Sequence, residues 1–345
     1  MEDSYSNKKI IENGKIYFME KTTLLLIDGT NFFFRVWAGQ PLTWEGHDIK
    51  CLYSFHLNLC NLLRLFEKDG SKVTPIVCWD GGYTERLKIS EEAVMKGLIP
   101  MTYKQARREQ HGTLETNIGD DFIWQLQRAQ EMLAFTRIGQ CRIQGEEADD
   151  VVSSFCKSNL GKFSRIVLVT TDKDYYQLLW DGVEIYNSSK KIFLTKDHLK
   201  QEYGLENADQ WVDVGALSGE TGDTIFGVPG IGYGTASKLI AKYGTMINLF
   251  EKSEDIFRDW IARYGRTEFQ KQVFDGTFKT KSTKEAKCLA YKERLEVAWK
   301  LKKMHTELPV VLPEVHPNWE KLEEFFQKYR FQISEKNFHT LLKAE

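Results

Sequence analysis

An α/β fold, with a largely parallel sheet flanked by helices and a helical region after it, is what the sequence predicts, and three observations carry that prediction. Short apolar runs rich in β-branched residues alternate with segments of helical periodicity as far as about residue 200, the pattern of strands joined by crossover helices. Two of the runs, at 23–27 and 165–170, are of the continuous apolar type that suits strands buried on both faces. Beyond residue 200 the strand signals give way to helices.

Residues 1–21 are polar and unpatterned and are expected to form an N-terminal extension without regular structure. The strand at 23–27 ends in Asp28-Gly29-Thr30-Asn31, and the segment with Phe32, Phe33, Phe34 and Val36 reads as core and helix, carrying Arg35 and Trp37 with it. Residues 51–66 place Leu52, Phe55, Leu59, Leu62, Leu63 and Phe66 at the spacing of an amphipathic helix. An Asp69-Gly70 turn leads to a strand at 73–79 and to Asp80-Gly81-Gly82. Residues 83–119 show no clear strand and gather Arg86, Lys88, Lys96, Lys104, Arg107 and Arg108 around Tyr103. Such a mix suits a phosphate backbone and a stacked base, and equally a solvated helix face.

Helical periodicity returns at 122–135, and a brief strand follows at 141–143. The next helix is expected to begin at Glu147, Asp149 and Asp150, ahead of Val151, Val152 and Phe155. The strand at 165–170 runs into a loop with Asp172 and Asp174 before a helix through Tyr175, Leu178 and Leu179, and short strands at 183–186 and 191–194 complete the sheet. Trp211, Val214 and Leu217 then mark one helix and Ala236, Leu239, Ile240 and Tyr243 another, with Glu220, Asp223 and the glycine-rich stretch 227–234 between them. The remainder is helical, with Lys279, Lys281, Lys284 and Lys287 as a further basic face and an apolar side of Trp319, Leu322, Phe325, Phe326 and Tyr329.

The 345 residues suffice for a large core, and 42% hydrophobic with 28% charged residues is the balance of a soluble globular protein. No apolar run is long enough to span a membrane, and the first residues lack the apolar core of a signal peptide. A cytoplasmic protein is expected. Six scattered cysteines without a CxxC pair argue against a zinc site and a disulfide framework. The net charge of −2 does not decide about nucleic acid, because an acidic metal site can offset a basic face in the sum.

The acids carry the chemistry. Asp28, Asp80, Asp172 and Asp174 follow strands, Glu147, Asp149 and Asp150 open a helix, and Glu220 and Asp223 precede the glycine stretch. Ligands of open α/β sheets bind at the carboxyl ends of the strands, so such acids can converge. An Asp at a helix start is by itself more often a cap, and it is the repetition that favours a shared cation. Ionised carboxylates a few ångströms apart need a compensating positive charge, and an all-oxygen set suits Mg²⁺ or Mn²⁺ over Zn²⁺. So many acids suggest two ions, which would support in-line hydrolysis of a phosphodiester. The glycine stretch joins two helices and can expose consecutive N–H groups to a phosphate. A helix instead of a strand precedes it, against a dinucleotide fingerprint.

Five segments in this order resemble the 5′ nuclease, or flap endonuclease, superfamily, in particular the bacterial and bacteriophage 5′-3′ exonucleases: DGTNFFFR (28–35), CWDGG (78–82), GEEADD (145–150), TTDKDYYQLL (170–179) and GDTIFGVPGIGYGTASKLI (222–240). The resemblance covers about residues 22–250 and, more loosely, 299–313 and the Trp319 helix. It implies a PIN-like catalytic domain over 22–205 with a helical arch at about 83–120. A helical region over 206–345 would contain a helix-three-turn-helix module at about 209–244. The implied activity is structure-dependent cleavage of DNA flaps and 5′ ends, and of RNA primers, by two Mg²⁺ or Mn²⁺ ions in replication and repair. The implied partner is branched or 5′-ended DNA, or an RNA–DNA hybrid, in a bacterial or phage-infected cell.

Position by position, the resemblance places metal ligands at Asp28, Asp80, Glu147, Asp149, Asp150, Asp172 and Asp174, with Glu220 and Asp223 at a second metal. It places Tyr103, Lys104 and Arg86 in catalytic roles at the base of the arch. Gly230, Gly232 and Gly234 would hold duplex backbone, with K⁺ bound there, and Arg35, Arg107, Arg108 and Lys238 are expected to contact DNA. Two departures stand out. The family pattern GDxxDN has Glu220 for its first Asp and Thr224 for its Asn, and the interval from Arg86 to Lys104 is longer than in simple members. Two other readings are a PIN-type ribonuclease, against which the duplex-suited hairpin argues, and a DNA-structure-binding protein that no longer cuts, for which Glu220 leaves room.

Overall fold

The computed structural model describes residues 9–12, 15–18, 21–35, 42–68, 70–114, 119–228, 230–252 and 284–343. In place of an extension without regular structure, strands β1 (Lys9–Glu12) and β2 (Lys15–Phe18) pair antiparallel, Ile10 opposite Tyr17 and Ile11 opposite Ile16. Both runs are rich in the isoleucine and aromatic residues that strands favour.

β3 (Thr22–Asp28) leads into α1 (Gly29–Phe34), a small hairpin of β4 (Thr43–Trp44) and β5 (His47–Asp48), α2 (Lys50–Glu67) and β6 (Lys72–Trp79). The stretch without strand signals forms two helices, α3 (Thr84–Met95) and α4 (Gln105–Leu114). Next come α5 (Gly119–Leu133), β7 (Gly139–Arg142), α6 (Ala148–Asn159) and β8 (Arg165–Val169). The Tyr175 segment is a 3₁₀ helix, Lys173–Leu178, and not a turn of α-helix. So short a connection favours the tighter winding. β9 (Val183–Asn187) and β10 (Ile192–Leu194) close the sheet. Helices α7 (Lys196–Tyr203), α8 (Gln210–Ser218), α9 (Tyr233–Tyr243), α10 (Met246–Lys252), α11 (Lys284–Lys302), α12 (Trp319–Lys328) and α13 (Glu335–Leu342) make up the rest. Lys279, Lys281, Val36 and Trp37 lie outside the described residues.

The strand order is β10-β9-β8-β3-β6-β7, and every pairing is parallel except that of β10 with β9. Alternation along β3 explains why its whole run is apolar. Leu24 and Leu26 pack with Val151, Phe155 and Trp211 on one face, while Leu25 and Ile27 pack with Phe55, Leu59 and Phe326 on the other. Successive side chains of a strand point to opposite faces, so both residue sets are needed. After β3 the chain builds β6 and β7 on one side, then returns to add β8, β9 and β10 on the other. The crevice at the carboxyl end of β3 is thus a topological switch point, where open α/β sheets bind ligands. Among the described residues no helix is long and apolar enough to cross a membrane.

Candidate active site

The register brings the acids level. Asp28 pairs with Cys78 of β6, and Ile27 pairs with Val169 of β8, so Asp28, Asp80 and Asp172 leave adjacent strand ends. Asp28 caps α1, its Oδ1 accepting from the Asn31 N–H at 3.0 Å, and its Oδ2 accepts from the Tyr175 hydroxyl at 3.0 Å. Asp172 caps the 3₁₀ helix by accepting from the Asp174 N–H at 2.9 Å.

Asp80 is held by a backbone clamp. The Gly81 N–H donates to the Glu146 carbonyl at 2.8 Å, the Gly145 N–H to the Gly81 carbonyl at 2.9 Å, and the Thr84 N–H to the Gly145 carbonyl at 2.8 Å. A Cβ on Gly81 would lie 1.9 Å from the Ile143 carbonyl oxygen, so no other residue permits this approach. The clamp presents the Asp80 carboxylate to α6, where it accepts from the Ala148 N–H at 2.9 Å. The residue that serves the start of α6 is therefore Asp80, from a different loop, which leaves Glu147, Asp149 and Asp150 for other partners.

Those partners are cationic. Glu147 accepts from Arg86 Nη1 at 2.7 Å, from the Tyr103 hydroxyl at 3.1 Å and from Lys104 Nζ. Burial opposes its ionisation, but Lys104 and Arg86 hold its carboxyl below the usual value. Asp150 is saturated by Arg86 Nη1 and Nη2 and by the His305 N–H at 2.8 Å. The family resemblance puts Arg86 among the catalytic residues at the arch. The structure instead buries it, at 3% exposure, bonded to Glu147, Asp150 and the Leu301 carbonyl. A guanidinium surrounded by carboxylates has no reason to face solvent, and it acts as an internal brace.

Lys104 is tied to the far side of the site. It adopts a left-handed backbone, φ 55°, its N–H donates to the Asp223 carbonyl at 2.9 Å, and its Nζ lies 5.0 Å from the Tyr103 ring centroid. A lysine in that region is strained and is held there by its surroundings. Although burial opposes it, Glu147 and Asp223 raise the Lys104 pKa, so it stays an ammonium. The Tyr103 hydroxyl reaches Glu147 Oε2 and, at 3.4 Å, Asp223 Oδ2. Asp223 also pairs with Arg107 Nη2 at 2.7 Å.

The structure adds a residue with no counterpart in the sequence-based site. Lys302, the last residue of α11, places Nζ 2.6 Å from both oxygens of Asp174 and 2.6 Å from Glu220 Oε2. In sequence it is one of several lysines in KLKK. The available signal was helical spacing, for Leu295, Ala298 and Lys302 share one stripe and the first two are buried. His305 and Gln177 escape the sequence for the same reason, that polar groups pointing inward look like polar groups pointing out, and Tyr175, which the sequence places only in a helix, adds a hydroxyl donated to Asp28.

Among the described residues no ion pair reaches Asp28, Asp80 or Asp172. Asp28 is pushed up to about 7 by burial and by the neighbouring Asp80, and Asp149 well above the usual range by burial and by Asp150. Asp149 Oδ1 is buried without a hydrogen-bond partner. An all-oxygen donor set in which Asp28 and Asp149 resist ionising fits a hard divalent ion, and Asp28, Asp80, Asp149 and Asp172 would hold it. Burial raises Asp174 to about 7 and Asp223 above its usual value as well, but these two and Glu220 differ from Asp28 in being contacted by a cation, Lys302 for Asp174 and Glu220 and Arg107 for Asp223.

Helices α8 and α9 pack together, Trp211 stacking on Tyr233 at 5.5 Å. Between them Glu220 and Ile225 form a β-bridge. Gly230, Gly232 and Gly234 are exposed, and a Cβ on Gly232 or Gly234 would meet nothing within 4 Å. Lys238 is exposed on α9. Arg108 donates to the Tyr103 carbonyl at 2.8 Å, and Arg35 to Ser188 Oγ on the other flank of the sheet.

Two family models match the chain: the 5′-3′ exonuclease N-terminal resolvase-like domain over residues 23–204 and the 5′-3′ exonuclease C-terminal SAM fold over residues 206–324. A 5′-3′ exonuclease of Halalkalibacterium halodurans is 30% identical over 250 residues, 69% of this chain and 76% of that one. The thermostable DNA polymerase I of Thermus thermophilus is 27% identical over 319 residues, 91% of this chain and 33% of the polymerase. The chain thus spans about a third of the length of the curated polymerases it matches. The zinc-bound T5 5′-exonuclease structure has the same fold, with a TM-score of 0.57 at 20% identity, covering 89% of this chain and 98% of that one.

Proposed function

The chain belongs to the 5′-3′ exonuclease family, and from that membership and its acid cluster we propose that it is a structure-dependent 5′ nuclease. It hydrolyses phosphodiesters at DNA flaps and 5′ ends, RNA-primed hybrid ends included, in replication and repair in the cytoplasm of a bacterial or phage-infected cell. The observation that carries the reading is the group of carboxylates at three adjacent parallel strand ends that, among the described residues, have no ion-pair partner, in a site with a lysine kept cationic.

Asp28, Asp80, Asp149 and Asp172 would hold Mg²⁺ or Mn²⁺. A divalent ion bound there supplies Lewis acidity toward a phosphoryl oxygen and a water of lowered pKa. The protein's own contributions follow from charge. Lys104 carries its proton at neutral pH, so it stabilises negative charge on the phosphate and does not act as a base. Its partner Glu147 is fixed by Tyr103 and Arg86, and Arg86 with Asp150 braces the start of α6. At the glycine hairpin, Gly232 and Gly234 have no internal reason to lack a side chain, which supports close approach of a duplex backbone. K⁺ would join the backbone carbonyls there.

Cleavage of a 5′-labelled DNA flap in Mg²⁺ tests the reading. The native chain is expected to cut near the junction, and Asp172→Asn to lose at least about 10²-fold, the scale of removing one transition-state charge contact. Full activity in Asp172→Asn would refute the site. Binding of the flap by the native chain without cleavage in Mg²⁺ or Mn²⁺ would favour a DNA-structure-binding protein, and preference for single-stranded RNA a PIN-type ribonuclease.

A further inference from the structure

We propose that Lys302 is a built-in cation that takes the place of a second divalent ion, so that the chain holds one tightly bound ion and not two. The inference rests on the reading of the acid cluster as a metal centre, and it concerns the other end of that cluster.

The geometry is that of a made site and not of a surface lysine folding over. The Lys302 side chain is 3% exposed and its ammonium contacts three carboxylate oxygens from two residues, at 2.6 Å each. Its stem runs over Gly215 of α8, where a Cβ would lie 2.8 Å from Lys302 Cε and the lysine would have to shift. The backbone around it is fixed from both sides. Gln177 Nε2 donates to the Lys302 carbonyl at 3.1 Å and Gln177 Oε1 accepts from the Met304 N–H at 3.0 Å. Arg86 Nε donates to the Leu301 carbonyl at 3.1 Å, and the His305 N–H reaches Asp150 at 2.8 Å. Arg86 and Asp150 therefore also lock the strap that carries Lys302.

An ammonium and a divalent ion cannot share the Asp174–Glu220 pair. A second ion would have to expel Lys302 from a buried, hydrogen-bonded position and leave its charge without a partner, which is costly in a protein interior. Asp223 does not rescue such a site, since Arg107 and Tyr103 engage it. The longer reach of Glu220 relative to the family's aspartate fits this use, because it lets one carboxylate meet an ammonium that Asp174 already holds. The consequence is a positive charge beside the cluster that is present at any metal concentration.

Titration of the full chain with Mn²⁺, followed by calorimetry and by electron paramagnetic resonance, tests this. The expected result is one tight Mn²⁺ per native chain with no spin-coupled pair, and a second site at least about 10-fold tighter in Lys302→Met than in the native chain. Glu220→Gln, which tests the same point with Lys302 kept, should still bind one Mn²⁺. Two ions of similar affinity in the native chain, or loss of one of two in Glu220→Gln, would overturn the inference while leaving the metal centre intact. An unchanged number of sites in folded Lys302→Met would overturn it as well. No Mn²⁺ binding in the native chain would overturn the metal centre itself, and this inference with it.

Discussion

His56 is fully buried on α2, its ring stacked on Phe331 at 5.5 Å and set against Tyr53 and Phe326. Burial pushes its pKa down to about 4. The unfolded chain takes up this proton near pH 6.5 and the native chain does not, so stability falls as pH drops from about 6.5 to 4. The shift corresponds to roughly 3 kcal/mol at full extent. Asp213, raised to about 6 by burial, has the opposite sign: the native chain keeps that proton longer, and stability falls as pH rises from about 4 to 6. Comparison with His56→Phe separates the two. Denaturant unfolding at pH 7 and pH 4.5 should show the native chain losing about 2 to 3 kcal/mol more than the variant, and equal losses would mean that the ring is protonated without cost. Single residues were legible in the sequence only where their neighbours in the chain announce them. Asp28 and Asp172 stand beside apolar strands, whereas Arg86 and Lys302 take their roles from partners 64 and 128 residues away.

Glycines separate two kinds of element. The clamp between the Asp80 loop and the start of α6 excludes a side chain at Gly81, while the α8–α9 hairpin leaves open space at Gly232. The expected outcome is that Gly81→Ala lowers the melting temperature and abolishes cleavage. Gly232→Val should keep the native melting temperature within a degree or two but bind a DNA flap at least about 10-fold more weakly. Thermal unfolding beside a flap-binding titration checks both, and native affinity in Gly232→Val would remove the hairpin from the DNA interface. The elements themselves were largely readable, because each large helix and sheet strand carries its own periodicity. The exceptions were short pieces. A hairpin of four-residue strands and a six-residue 3₁₀ helix hold too few residues to show a period.

At the scale of the whole molecule, the switch point gathers acids that the fold cannot ionise cheaply without a cation. A divalent ion that binds only the native chain stabilises it by about 2.7 kcal/mol at a hundred times its dissociation constant. For a chain of this size that is a rise of several degrees in melting temperature. The rise should be larger at pH 8 than at pH 6, because Asp28, pushed up to about 7, must give up its proton to bind the ion. Thermal scans with Mn²⁺ and with a chelator at both pH values check this, and a rise independent of pH would place the ion away from Asp28. The sequence by itself determined the parallel sheet, the helical second half and the family, because strand hydrophobicity, helix periodicity and short motifs are properties of neighbouring residues. Only the tertiary structure decided which carboxylates are free and which are already paired, because Arg86, Lys104, Arg107 and Lys302 reach them from other parts of the chain and a charge acts through space.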